Sequence, residues 1–303
     1  MNAVWSYEKI KEFSFTPAEI DVFIASVLLW KHTYPQFKTH FVCDSKTKEY
    51  FSRHLKIFDE VIEKEFNSNI NREVFWAASK IEALKSIPAP VCHIDLDFYN
   101  WHNLEPFGIF DYDMVASFEE DTKYFYLNEK DAMRGVDLDV DITGIAYNTS
   151  FMYFKNDFIK NKFCDTAISY MTQASKQDLY PIFNTNKSLY MIFAEQQLFG
   201  EVAFNNNVNV KTLVKEKFLA GFGGYVANKN ENGIIKESHI HHFLVHLGEY
   251  KNSLKNIEVQ KNVSSHINML FLERNIRYNV PFISKARFKV KTIIDLLLSC
   301  IKK

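Results

Sequence analysis

The sequence predicts an α/β protein: a mostly parallel, Rossmann-like central sheet flanked by helices, followed by a helical C-terminal extension. Three observations predict it. Short apolar runs of strand length alternate with segments of helical period through the first hundred residues, the pattern of strand–helix–strand crossovers. Capping residues and prolines punctuate those segments. Hydrophobic residues make up 47% of the 303-residue chain, with 28 Phe and 15 Tyr, enough to cover both faces of a sheet.

Taken in order, Ala3–Ser6 reads as a strand. Thr16-Pro17-Ala18-Glu19 has capping-box spacing with Pro at the first helical position, and the helix that follows places Ile20, Phe23, Val27, Trp30 and Tyr34 on one face. His40–Cys43 is a second strand, Ser45 opens another helix, and Val61-Ile62 is a short third strand. Arg72–Ser86 reads as a helix with Val74, Ala77, Ile81 and Leu84 inward, stopped by Pro88 and Pro90. Val91–Leu96 is then a buried strand. Met114–Phe118 and Ile145–Phe154 are later strands, separated by a polar, acidic loop over Glu119–Asp141. Phe158–Thr172 and Lys187–Phe199 have helical spacing, Gly221–Gly224 marks a loop, Phe243–Leu247 is a late strand, and the last fifty residues read as helical. There is no internal repeat, low-complexity segment or clear linker.

Composition narrows the function classes. Lys plus Arg number 36 and Asp plus Glu 37, a net charge of −1, so no nucleic-acid partner is expected. Cys43, Cys92, Cys164 and Cys300 are widely spaced and read as reduced thiols of a reducing compartment. No basic-then-apolar leader opens the sequence, and no apolar run approaches the ~20 residues that span a bilayer, so a cytoplasmic location is expected. Near the end, Lys285, Arg287, Lys289, Lys291, Lys302 and Lys303 surround Ile293, Ile294, Leu296, Leu297, Leu298 and Ile301. Such a helix suits peripheral contact with an anionic membrane on its cytoplasmic face, or docking on the core or another subunit. Low Gly with abundant Asn, Lys and Phe suits an AT-rich bacterial coding source.

Two motifs carry chemistry. Val91–Ile94 runs directly into Asp95-Leu96-Asp97, at the strand end where parallel sheets bind ligands. Two carboxylates one residue apart can hold one hard cation, and that cation can neutralise a diphosphate leaving group. Asp111-Tyr112-Asp113 and the Asp137–Asp141 run lack this context and read as solvated acids. Downstream, the strand Phe243-Leu244-Val245 leads to His246-Leu247-Gly248-Glu249-Tyr250-Lys251. A neutral imidazole at 246 can complete a metal site begun by carboxylates, Gly248 lets backbone approach a phosphate, and Lys251 supplies a mobile positive charge.

Asp-x-Asp followed by His-x-Gly-x-x-Lys resembles the retaining glycosyltransferases of family eight and their relatives with the A-type nucleotide-sugar-binding fold. The resemblance runs from about residue 3 to residue 251. It implies that residues 1–255 are the nucleotide-sugar-binding catalytic domain and 256–303 a helical extension. It implies that Asp95, Asp97 and His246 hold Mn2+ (or Mg2+) on the donor diphosphate, with Gly248 and Lys251 on the phosphates. Asn252-Ser253 follows Lys251 where the family often has Pro-Trp. Lys80, in Phe75–Lys80, stands where relatives carry a basic residue facing the donor. Asn148 stands at an Asn-x-Gly-like turn, with Ser150 in place of Gly. Glu195-Gln196-Gln197-Leu198 resembles the Asp-Gln-x-x-Leu region beside the sugar-bearing carbon, with Glu for Asp, and implies a catalytic role for Glu195 and Gln196. Tyr7 and Asp44 fall at the nucleotide end of the fold, where an aromatic can stack on a base and an acid can accept from base or ribose.

The implied activity is transfer of a hexose-type sugar from a UDP-sugar or another nucleoside diphosphate sugar to a glycan or lipid-linked acceptor, with retention. Surface-polysaccharide assembly is a setting for it. The sequence identifies neither sugar, acceptor nor oligomeric state. Two other readings share these features: an inactive carbohydrate-binding or scaffold protein of the same fold, and a nucleotidyltransferase. The latter usually carries a Gly-rich basic loop near its first strand, and Trp5-Ser6-Tyr7-Glu8-Lys9 has none.

Overall fold

The computed structural model describes residues 1–10, 13, 15–100, 103–122, 126–127, 129–177, 188–213, 218–219 and 244–246. The expected alternation is present. β1 (Asn2–Tyr7) leads through α1 (Pro17–Thr33) to β2 (Lys38–Cys43), then α2 (Ser45–Tyr50), β3 (Glu60–Glu63), α3 (Ala78–Ser86) and β4 (Val91–Ile94). A short β5 (Phe98–Asn100), β6 (Met114–Asp121), α4 (Glu129–Ala132), β7 (Tyr147–Phe154) and α5 (Asp157–Ala174) follow. A late helical stretch comprises α6 (Ser188–Ile192), a π-helical segment (Phe193–Gln197) and α7 (Leu198–Asn205). The short strands β8 (Val210–Thr212), β9 (Phe218–Leu219) and β10 (Leu244–His246) come last.

The main sheet has the order β3-β2-β1-β4-β7-β6-β8, with β9 also on β6. Strands β3, β2, β1 and β4 are parallel, and β7 runs against both neighbours, so the sheet is mostly parallel with one reversed strand. Nothing in the strand-like run 145–154 signals that reversal, because residue composition does not encode strand direction. Alternation along the strands builds two cores. Val4, Val42 and Val91 face one cluster with residues of α3, α5 and α7, whereas Trp5, Phe41 and Cys92 face the other with Phe23, Val27 and Trp30 of α1.

Local signals set several boundaries. Thr16 Oγ1 accepts from Glu19 N at 3.2 Å while Glu19 Oε2 accepts from Thr16 N at 2.7 Å, the capping box expected for α1. The helix expected from Arg72 begins only at Ala78. Asn71 Oδ1 accepts from Glu73 N, and Arg72 is drawn to the Asn67 carbonyl and to Glu82, side-chain bonds that hold this stretch in turns. β6 continues to Asp121, into the stretch read as an acidic loop. Gly200 on α7 is required by close approach, since a Cβ there would lie 2.5 Å from the Ile145 carbonyl oxygen. Beside it, the fully buried Glu201 accepts from the backbone N–H groups of Thr143, Gly144 and Ile145. That clasp fixes the start of β7. Among the described residues, no helix is long and apolar enough to cross a membrane. The C-terminal extension, including the basic segment from Lys285, lies outside the described residues.

Candidate active site

The parallel strands β1, β2 and β4 end on one edge, and the candidate residues gather there. β4 is buried throughout, and Asp95 N still donates to Ser150 O at 3.0 Å before the chain turns. Phe98 N donates to Asp95 O at 3.1 Å, closing a tight turn that carries Asp95 and Asp97. Beyond the turn, β5 pairs antiparallel with β10 and sets His246 opposite Phe98, one residue from Asp97. Strands 98–100 and 244–246 are thus neighbours across nearly 150 residues of sequence. Phe98 stacks on Phe151 with ring centroids 5.6 Å apart, and Tyr34 Oη accepts from Asn100 Nδ2 and Leu104 N, anchoring the far side of the turn.

Lys80 is the centre of the described cluster. It is buried on α3, and its ammonium donates to Asp95 Oδ1 at 2.7 Å, Glu195 Oε1 at 2.5 Å and the Thr149 carbonyl at 2.6 Å. Three donors meet three acceptors, so the ammonium is fully used within the protein. Burial alone pulls this lysine down, but Asp95 and Glu195 outweigh it and hold it above its ordinary value. Thr149 Oγ1 also donates to Glu195 Oε1, at 2.6 Å. Sequence expectation has Lys80 facing the donor; the structure has it joining two carboxylates from different elements. The buried His93 sits behind them, with Nε2 2.9 Å from Ser6 Oγ and Nδ1 3.8 Å from Asp95 Oδ1. Burial, and then Lys80, push its pKa well below the usual imidazole range, so it is neutral.

The π-helical turn aims the next pair. Glu195 and Gln196 lie within Phe193–Gln197, where the wider turn displaces side chains relative to an α-helix. Glu195 reaches Lys80, while Gln196 Oε1 lies 2.7 Å from Tyr126 Oη. Tyr126 Oη also donates to Glu120 Oε2 at 2.9 Å, and Asn148 Nδ2 donates to Glu120 Oε1 at 3.1 Å. Asn148 and Gln196 are therefore linked through Glu120 and Tyr126, two residues sequence reasoning passed over as part of an acidic loop. A β-bulge at Ala116/Phe118 supports this edge, with Phe151 N donating to Ser117 Oγ at 3.1 Å.

At the other end of the edge, a cavity of about 290 Å³ is lined by Glu8, Asp44, Ser45, Glu63, Lys64 and Phe66. Asp44 caps α2 through Thr47 N and also accepts from Lys9 N, both at Oδ1. Tyr7 packs among Phe13, Phe15 and Phe51, and the aromatic lining the cavity is Phe66. Glu8 Oε2 sits 3.2 Å from Arg72 Nε but off the axis of a hydrogen bond. Burial raises the Glu8 carboxyl from 4.5 to about 7, against the lowering pull of Arg72 and with Glu82 and Asp44 adding to the rise. Because the folded value is raised, protonated Glu8 favours the fold fully below the ordinary value, and that contribution is lost as pH rises through about 7. Glu8→Gln is expected to remove a decline in stability between about pH 5 and pH 8 worth on the order of 3 kcal/mol at most. Urea melts of both proteins across that range check this; parallel pH profiles would contradict it.

The donor set can be weighed for a metal. Asp95 and Asp97 supply hard oxygen donors on one turn, and β10 brings the backbone of His246 alongside. This fits a divalent cation completed by water and phosphate oxygens. Among the described residues, no group of three or more His, Cys, Asp or Glu side chains converges as a closed metal cage. Gly248 and Lys251 lie outside the described residues.

No known protein family and no curated protein matches the chain by sequence. Solved structures resemble it in shape. PaToxG glycosyltransferase is 14% identical with a TM-score of 0.39, covering 68% of this chain and 69% of its own. Mouse xyloside xylosyltransferase 1 in its apo form is 12% identical with a TM-score of 0.39, covering 70% and 85%. The 4-diphosphocytidyl-2C-methyl-D-erythritol synthase of Anaerococcus prevotii DSM 20548 is 13% identical with a TM-score of 0.36, covering 79% and 94%. Likeness at this level does not assign chemistry; the residues of the site must.

Proposed function

We propose that the chain is a metal-dependent glycosyltransferase that moves a hexose-type sugar from a nucleoside diphosphate sugar, with UDP as the nucleotide, to a glycan or lipid-linked acceptor, retaining the anomeric configuration. The observation that carries this reading is the convergence of Asp95, Lys80, Thr149 and Glu195 beside the Asp97 turn and the strand bearing His246. The basic, apolar segment 285–303 would bring the protein to an anionic membrane surface where a lipid-linked acceptor resides.

Asp95, Asp97 and His246 would hold Mn2+ or Mg2+, which supplies charge neutralisation to the leaving diphosphate. Lys80 fixes Asp95 toward that centre and anchors Glu195. Glu195 Oε1 accepts two hydrogen bonds, from Lys80 and Thr149, which hold the carboxylate in place. Its use is electrostatic, stabilising positive charge at the anomeric carbon together with the Gln196 amide. The bond from that carbon to the diphosphate breaks, and a bond to the acceptor oxygen forms on the same face. The acceptor proton passes to the departing phosphate oxygen, which leaves no role for a separate base.

A hydrolysis screen across nucleotide sugars finds the donor without an acceptor. With that donor, Glu195→Gln is expected to lower kcat about a hundredfold while weakening donor binding far less. Proton NMR of the early product should show the donor's anomeric configuration preserved. Net inversion, or an unaffected Glu195→Gln enzyme, would contradict the mechanism.

A further inference from the structure

The polar chain Asn148–Glu120–Tyr126–Gln196 carries an orientation that its hydrogen-bond valences settle. Tyr126 Oη lies within hydrogen-bond distance of both Glu120 Oε2, at 2.9 Å, and Gln196 Oε1, at 2.7 Å. A phenol has one proton and cannot donate to two acceptors, and a carboxylate has none to give. Asn148 Nδ2 already donates to the other Glu120 oxygen. The phenol proton therefore goes to Glu120, and the amide must offer its NH2 to the phenol oxygen. An amide's oxygen and nitrogen exchange places by a half-turn that leaves its shape unchanged. Burial, followed by the Glu120 charge, raises the Tyr126 pKa well above its ordinary value, so the phenol keeps its proton. Gln196 itself is only partly buried, so a ligand can reach this residue.

We propose that Glu120 and Tyr126 are positioning residues that turn the Gln196 amide so that its carbonyl oxygen, not its NH2, is presented to the sugar ring during transfer. This rests on the transferase reading above. A carbonyl oxygen is the negative end of the amide dipole and stabilises a carbon developing positive charge, whereas NH2 opposes it. Glu120 thus acts at a distance by setting the direction of two hydrogen bonds.

Glu120→Gln reverses the chain. The new amide receives the Asn148 hydrogen bond at its oxygen and donates its NH2 to Tyr126, whose proton then goes to the Gln196 carbonyl. Tyr126→Phe keeps the ring and removes the directing oxygen. Both variants are expected to lower kcat by about tenfold to a hundredfold with donor KM within about twofold, a split that general loosening would not give. A second readout is independent of turnover: in protein labelled with 15N-glutamine, the Gln196 NH2 should show a strong NOE to the Tyr126 ring, weakened in Glu120→Gln. Turnover with unchanged kcat in Glu120→Gln, or the same NOE in both proteins, overturns the relay alone. Absence of wild-type turnover with every nucleotide sugar overturns the transferase reading and the relay's role with it.

Discussion

Lys80→Met is expected to destabilise the protein by about 3–5 kcal/mol and to abolish turnover. The substitution keeps the chain length and removes the charge. It leaves Asp95, Glu195 and the Thr149 carbonyl facing one another without the ammonium that joins them. Breaking a buried ion pair costs more than the pair contributes, because the remaining charges stay desolvated. In a chain of this size the loss corresponds to a fall in Tm of roughly 5–8 °C. The double variant Lys80→Met/Glu195→Gln removes one of the stranded charges and should regain part of that stability without regaining activity. Such coupling, measured as a double-mutant cycle, separates a charge effect from loss of packing. Additive losses would mean that the contacts seen at Lys80 carry little energy.

Asp97→Asn is the second large effect. The side chain is 6% exposed, so the isosteric amide fits while the negative charge is lost. If Asp97 holds a cation with Asp95, metal-assisted stabilisation of the leaving diphosphate goes with it. Several kcal/mol of such stabilisation corresponds to a fall in kcat on the order of a hundredfold or more. Stability without metal should hold or rise, since one of two neighbouring carboxylates has become neutral. A rise in Tm on adding Mn2+, expected in the wild type, should vanish in the variant. An Mn2+-induced rise as large in Asp97→Asn as in the wild type would remove Asp97 from the site.

The sequence made some features legible because they depend on local chemistry. The capping box at Thr16 and Glu19 is a four-residue signal and forms as spaced. The carboxylates at 95 and 97 follow a buried run and fall at the strand end that binds ligands in parallel sheets. Other features depend on tertiary partners. The sequence places Lys80 facing the donor, and only the packing of α3 reveals that Asp95, Thr149 and Glu195 surround its ammonium. The π-helical turn that separates the directions of Glu195 and Gln196 has no residue signature. Glu120 and Tyr126 stand in a polar stretch, and only the extension of β6 to Asp121 brings Glu120 against Asn148. Tyr7 packs among other aromatics while Phe66 lines the β1–β3 cavity; strand-end position does not reveal which way a ring packs.

Calorimetric titration of UDP into the full chain, once with Mn2+ and once with EDTA, tests the central claim most directly. A nucleotide site completed by a cation on Asp95 and Asp97 predicts saturable 1:1 binding with Mn2+, at least about tenfold weaker in EDTA, and the same weakening in Asp97→Asn with Mn2+ present. UDP binding of equal strength with and without metal, or no binding of any nucleoside diphosphate under either condition, would contradict a metal-dependent nucleotide-sugar transferase.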